Sequence, residues 1–129
     1  PANSRVGFAV DNGRAIVAYW GSNGSLKVAV GTFSAGSYSW SASTLMNHFS
    51  GITYHTPQVG LSSTGLGRVV YMEYNVNVST PQSDINLIYE TSANTWNGTA
   101  NLKSMNDAIS YYWIGSGLGI TGMAGNSRR

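Results

Sequence analysis

Apolar and polar positions alternate along most of this chain, and apolar residues almost never recur at the three-to-four spacing of an amphipathic helix. Residues 15–20 combine β-branched, small and aromatic side chains and predict a strand. Asn23 and Gly24, a pair that accepts the positive φ angles of a tight reversal, separate it from a second strand at 26–30, so the two predict a hairpin. A Gly/Ser-rich link leads to a short third strand at 38–41, anchored by Trp40. The same order returns downstream: a strand at 68–74, a longer polar loop at 75–84, a returning strand at 85–90, and a closing segment around Trp96. One short helix is predicted at 42–49, with Ser41 or Ser43 as its N-cap. Residues 101–107 read as a connecting loop or single turn.

Each copy opens on an apolar-Gly-apolar step, Val6-Gly7-Phe8 in the first and Val59-Gly60-Leu61 in the second. The spacing is 53 residues from Val6 to Val59, 54 from Arg14 to Arg68 and 56 from Trp40 to Trp96, so it drifts only as loop insertions would make it drift. A third copy begins at Leu118-Gly119-Ile120 and stops at Arg128-Arg129. The expected organisation is one all-β domain with units at 4–47, 57–103 and, in part, 117–129. A half-unit leaves strand edges and an apolar face unpaired, so completion by another chain or by oligomerisation is expected. Two alternatives stay open: a Gly-rich tail at 117–129 that only resembles the repeat, and a plain β-sandwich. The terminal arginine pair reads either as an inert tail or as the scar of dibasic processing.

Composition narrows the class. Charged residues are 9% of the 129 and aromatic residues 12%, a profile of folded, secreted β proteins and not of disordered chains. The net charge of +2 comes from cations scattered along the chain, without the clustered cations of a nucleic-acid groove. Without cysteine there is neither a disulfide nor a thiolate metal site. No apolar run reaches the roughly 18 residues of a membrane-spanning helix. Sequons at Asn23, Asn77 and Asn97 accord with secretion.

Little in the chain points to catalysis. His48 and His55 lack a third ligand at a useful spacing, Asp11, Asp84 and Asp107 sit in turn-like surroundings, and no G-x-S-x-G elbow is present. No enzyme activity and no cofactor are expected.

Residues 15–27 of the first unit resemble the blade of the fucose-binding lectin propellers of fungi and some bacteria, as do 68–74, 85–90 and 96–99 of the second and 117–123 of the third. The resemblance implies a β-propeller-like assembly of blade repeats, completed by another chain or by oligomerisation. It also implies a sugar bound between neighbouring blades by an Arg, a Glu and an aromatic ring. At the positions matching that Arg the chain carries Ile16 and Val69, with Arg68 one place away; at those matching the Glu it carries Val28 and Leu87.

Sugar recognition needs an aromatic face for the apolar side of the ring and charged planar groups for its vicinal hydroxyls. The second unit supplies Arg68, Glu73, Tyr74, Glu90 and Trp96 on strands expected to pair and on the adjoining loop, and these are the candidate carbohydrate contacts. The competing reading makes Trp40 and Trp96 wedges between units and leaves Glu73 and Glu90 on an exposed strand face, paired with Arg68 or Lys27. The expected protein is a secreted, non-catalytic carbohydrate-binding subunit with a glycan ligand. The alternative is a structural or protein-interaction subunit, of toxin or effector type, within a larger cleaved assembly.

Overall fold

A computed structural model describes residues 6–11, 13–47, 52–54, 57–75 and 82–105, excepting the side chains of 52–54, 74, 75 and 105. Its described residues are all-β and contain no helix. The first sheet is an antiparallel meander of β1 (Gly7–Asp11), β2 (Arg14–Trp20), β3 (Leu26–Ser34) and β4 (Ser37–Met46), in that order. The second comprises β5 (Ile52–Tyr54), β6 (Gln58–Leu61), β7 (Gly67–Asn75), β8 (Gln82–Ser92) and β9 (Thr95–Met105). β5 and β6 pair with opposite ends of the same edge of β7, so this sheet too is four strands wide.

The alternation in the sequence builds the core. On the first sheet Ile16 lies opposite Val30, Ala18 opposite Val28 and Trp20 opposite Leu26, which gathers these side chains on one face. Val59, Leu61, Val69, Tyr71 and Ile88 of the second sheet pack against that face, and Ile16, Ala18, Leu26, Val28 and Val69 are wholly withdrawn from water. Each large aliphatic buried in this way contributes about 1.5–3 kcal/mol relative to an exposed position. β1 and β6 approach most closely at Gly7, where a Cβ would collide with the carbonyl oxygen of Pro57.

Two-residue corners show how the sheets are stacked. Ser34 pairs with Ser37 across Ala35-Gly36, and Ser92 pairs with Thr95 across Ala93-Asn94, so the two corners correspond. Next inward come Phe33 with Tyr38 and, past a bulge at Thr91, Glu90 with Trp96. Glu90 and Trp96 project toward the first sheet, whereas Phe33 and Tyr38 project from the first sheet away from the second. Corresponding faces therefore point the same way, and the sheets meet through unlike faces.

Two of the loops share one hydrogen-bonding plan. In 21–25 the Gly21 N–H donates to the Ser25 carbonyl and the Gly24 N–H to the Gly21 carbonyl; in 62–66 Ser62 donates to Leu66 and Gly65 to Ser62 in the same way. Gly24 and Gly65 hold the matching left-handed position, with φ of 78° and 76°.

The structure corrects three expectations. The helix predicted at 42–49 is absent over its described part, because β4 continues through Met46. Residues 101–105 extend β9 and are not a connecting turn. The structural counterpart of Trp96 is Tyr38 and not Trp40, since the corners align two residues away from the match between tryptophans. The partial third unit at 117–129, like His48, His55 and the sequon at Asn77, lies outside the described residues.

Candidate functional site

Arg14 begins the core-facing row of β2, two residues before Ile16, and a cation in that register needs a partner inside the sheet contact. Glu90 supplies it. Arg14 Nη1 donates to Glu90 Oε2 at 2.6 Å and Nη2 to Oε1 at 2.5 Å, a fork-to-fork pair joining the first sheet to the second. The backbone N–H groups of Gly67 and Asn94 donate to the same two oxygens at 2.6 and 2.7 Å. Arg14 also donates to the Gly65 carbonyl at 2.9 Å.

Glu90 is only 2% exposed. Burial by itself pushes its carboxyl up; the bonds from Arg14, Gly67 and Asn94, with the guanidinium charge, outweigh that and hold it below the ordinary range. The Arg14 guanidinium is pushed higher still, chiefly by its hydrogen bond to Glu90. Trp96 closes the same corner: a Cβ on Gly67 would come within 2.5 Å of both its indole and the Ile16 side chain. With each Glu90 oxygen accepting twice, the carboxylate is fully engaged in joining the sheets.

Further along the second sheet the face turned toward the first becomes polar. The β7–β8 register sets Tyr71 opposite Asn86 and Glu73 opposite Asp84, and β9 places Thr99 and Asn101 beside Ile88 and Asn86. Tyr71, Glu73, Asn86, Leu87, Thr99, Ala100 and Asn101 line an open groove of about 390 Å³. Its aromatic wall is fixed from the first sheet: the Tyr71 hydroxyl donates to Met46 Sδ at 3.5 Å, and Trp20 meets the Tyr71 ring edge-on at 6.2 Å.

The carboxamides are ordered by one another, Asn101 Nδ2 donating to Asn86 Oδ1 at 3.0 Å. Glu73 is half-buried, and its carboxyl is raised above the usual range by burial and then by the charge of Asp84; a hydrogen bond from Asn86 opposes the rise. One carboxylate, two carboxamides and a hydroxyl converge on the groove beside the buried ring. Such a set accepts from and donates to neighbouring hydroxyls of a small polar ligand.

The five candidate residues do not form one cluster. Glu73 is in the groove, and Glu90 and Trp96 belong to the clasp. Arg68 is exposed on the opposite face of β7, in register with Tyr89. Tyr74 pairs through its backbone with Ser83. Neither Arg68 nor Lys27 is the partner of Glu90. The residue that sequence reasoning missed is Arg14, and the available signal was a charge at the head of the inward-facing row Arg14, Ile16, Ala18 and Trp20.

Fold and groove together define a class: a pair of antiparallel sheets, stacked through unlike faces, with a shallow polar groove beside the contact. No family model, no curated protein and no solved structure matches the chain.

Proposed function

We propose that this protein is a non-catalytic carbohydrate-binding subunit of a β-propeller-like, blade-type assembly, and that the groove at Glu73 is its glycan site. The supporting observation is the convergence of Glu73, Asn86, Thr99 and Asn101 beside the Tyr71 ring in an open groove. Hydroxyl-rich ligands match alternating acceptors and donors of this kind, and an open groove suits the terminal residue of a glycan. The reading departs from the pattern of fucose-binding lectins, because Ile16, Val28 and Val69 are buried core residues. Of the five sequence candidates it keeps Glu73 as a ligand contact and gives Glu90 and Trp96 a supporting role. A secreted protein is part of the proposal: Asn23 and Asn97 are exposed, as sequon acceptors must be.

Glycan-array screening followed by calorimetric titration tests it. The expected result is binding of a defined glycan set, lost in Glu73→Gln and Asn86→Ala and retained in Arg68→Ala. Absence of binding to every glycan by a folded sample overturns it. A second reading, a structural or protein-interaction subunit that binds no sugar, draws support from the exposed aromatic face of the first sheet.

A further inference from the structure

The charges at the groove are unbalanced. One row of register positions across the second sheet runs Tyr54, Glu73, Asp84 and Ser104, so two carboxylates stand directly opposite one another on adjacent strands. Like charges in that relation destabilise a sheet. Burial and the charge of Asp84 both act against ionisation of Glu73, and the hydrogen bond from Asn86 opposes them without reversing the shift.

The cations that could neutralise the pair are committed elsewhere. Arg14 is held by Glu90 and the Gly65 carbonyl. Arg68 is exposed on the opposite face of β7, and Lys103, in register with Ile85, lies on that same opposite face of the sheet. Lys27 alternates with the core residues Leu26 and Val28 and so points away from the second sheet. Among the described residues, then, no Lys or Arg faces Glu73 or Asp84. The whole chain carries a net charge of +2, so the acidity of this groove is a local arrangement.

The direction of the hydrogen bonds points the same way. Ser104 Oγ donates to Asn101 Oδ1 at 3.2 Å, Asn101 Nδ2 donates to Asn86 Oδ1 at 3.0 Å, and Asn86 donates in turn to Glu73. Gln82 Nε2 donates to Asp84 Oδ1 at 3.0 Å. The carboxamide donors thus run along the sheet toward the two carboxylates, whose remaining capacity is for accepting alone. A ligand hydroxyl answers with one donor. An ammonium group answers with three donors and supplies the missing charge.

We propose, resting on the glycan reading of this groove, that its preferred ligand is an amino sugar whose free ammonium group is received between Glu73 and Asp84. N-acetylation of that sugar removes the charge and two of the donors. Replacing the amine by a hydroxyl keeps one donor and loses the charge.

The test is a glycan array that presents gluco and galacto sugars as the 2-amino, 2-acetamido and 2-hydroxy forms, followed by calorimetric titration of the matched gluco oligosaccharides. The expected result is a preference of about tenfold for the free amine over either neutral form, the difference between a charged and a neutral hydrogen bond. The preference should narrow at high salt and shrink in Asp84→Asn, whereas Asp11→Asn, which neutralises an exposed carboxylate on β1, should keep it. Both variants are checked first for unchanged circular dichroism and unfolding midpoint; if Asp84→Asn fails to fold, Asp84→Ser replaces it. Equal binding of amine and neutral sugars, or a preference unchanged by the Asp84 variant, overturns the proposal and leaves the groove as a site for neutral glycans. Neutral sugars that bind as tightly as the amine once calcium is added overturn it as well, since a metal ion would then be the missing cation. Binding to no glycan at all overturns it together with the glycan reading.

Discussion

At the scale of single residues, the chemistry turns on two glutamates with opposite responses to their surroundings. Glu90 has its folded-state acidity strengthened, so its contribution to stability is present above the ordinary carboxylate range and is lost as pH falls through its depressed folded value. Urea midpoints measured from pH 7 downward should show that acid loss in the wild type and a smaller one in the double variant Arg14→Met, Glu90→Leu. Breaking the pair from one side with Arg14→Met leaves a buried carboxylate with two backbone donors and no cation. It should cost about 3–5 kcal/mol in denaturant unfolding, most of it recovered in the double variant.

Glu73 carries the opposite sign. Its folded value is raised, so protonation favours the folded state, and the stability it contributes in acid is lost as pH rises through the folded value. Glu73→Gln should then raise the thermal midpoint at neutral pH while abolishing glycan binding. A fall in the midpoint, measured by calorimetry, would count against a residue held for a ligand. Ala35 is a non-glycine at φ 50° in a corner whose second residue, Gly36, is at φ 85°. Such a corner prefers Asn-Gly, and Ala35→Asn should stabilise the hairpin by about 1 kcal/mol in the same unfolding assay.

At the scale of elements, strands were legible where they alternate between core and solvent. β2, β3, β7 and β8 announce themselves in this way, because each has one face in the sheet contact. The distal half of β4 does not: Ser41 to Thr44 are exposed, and a small, polar edge strand has no buried face to impose a period. β9 fails to show beyond Asn101 for the same reason, with Asn101 to Ser104 exposed. The repeat was legible in spacing but not in register, since matching Trp40 to Trp96 follows side-chain identity while the backbone follows its corners.

The clasp was hidden because its partners lie 76 residues apart, and no local pattern links them. Of the groove, Glu73 was visible as a lone strand carboxylate. Asn86 and Asn101 were not, since nothing in either strand alone says that they meet. Between elements, Gly67 marks one tight fit. Gly67→Ala should push against Trp96 and Ile16, cost about 1–3 kcal/mol, and alter tryptophan fluorescence in the folded state.

At the scale of the molecule, the two sheets share one core drawn from β2, β3, β6, β7 and β8. The faces that form this core would be exposed if the sheets separated. The sheets should therefore unfold together, with coincident transitions by tryptophan fluorescence and circular dichroism. Separate transitions would show that the clasp and core do not couple them.

The unlike-face contact also bears on how such a molecule grows. A contact between like faces is finished after one pairing, and any extra copy of the coding segment finds no place to dock. A directional contact leaves an acceptor at one end and a donor at the other after every addition. Tandem duplication of the segment encoding one sheet would then lengthen the stack without redesigning either surface. How closely each added sheet could sit would depend on glycines like Gly7 and Gly67, where a Cβ would strike Pro57 in one case and Ile16 and Trp96 in the other.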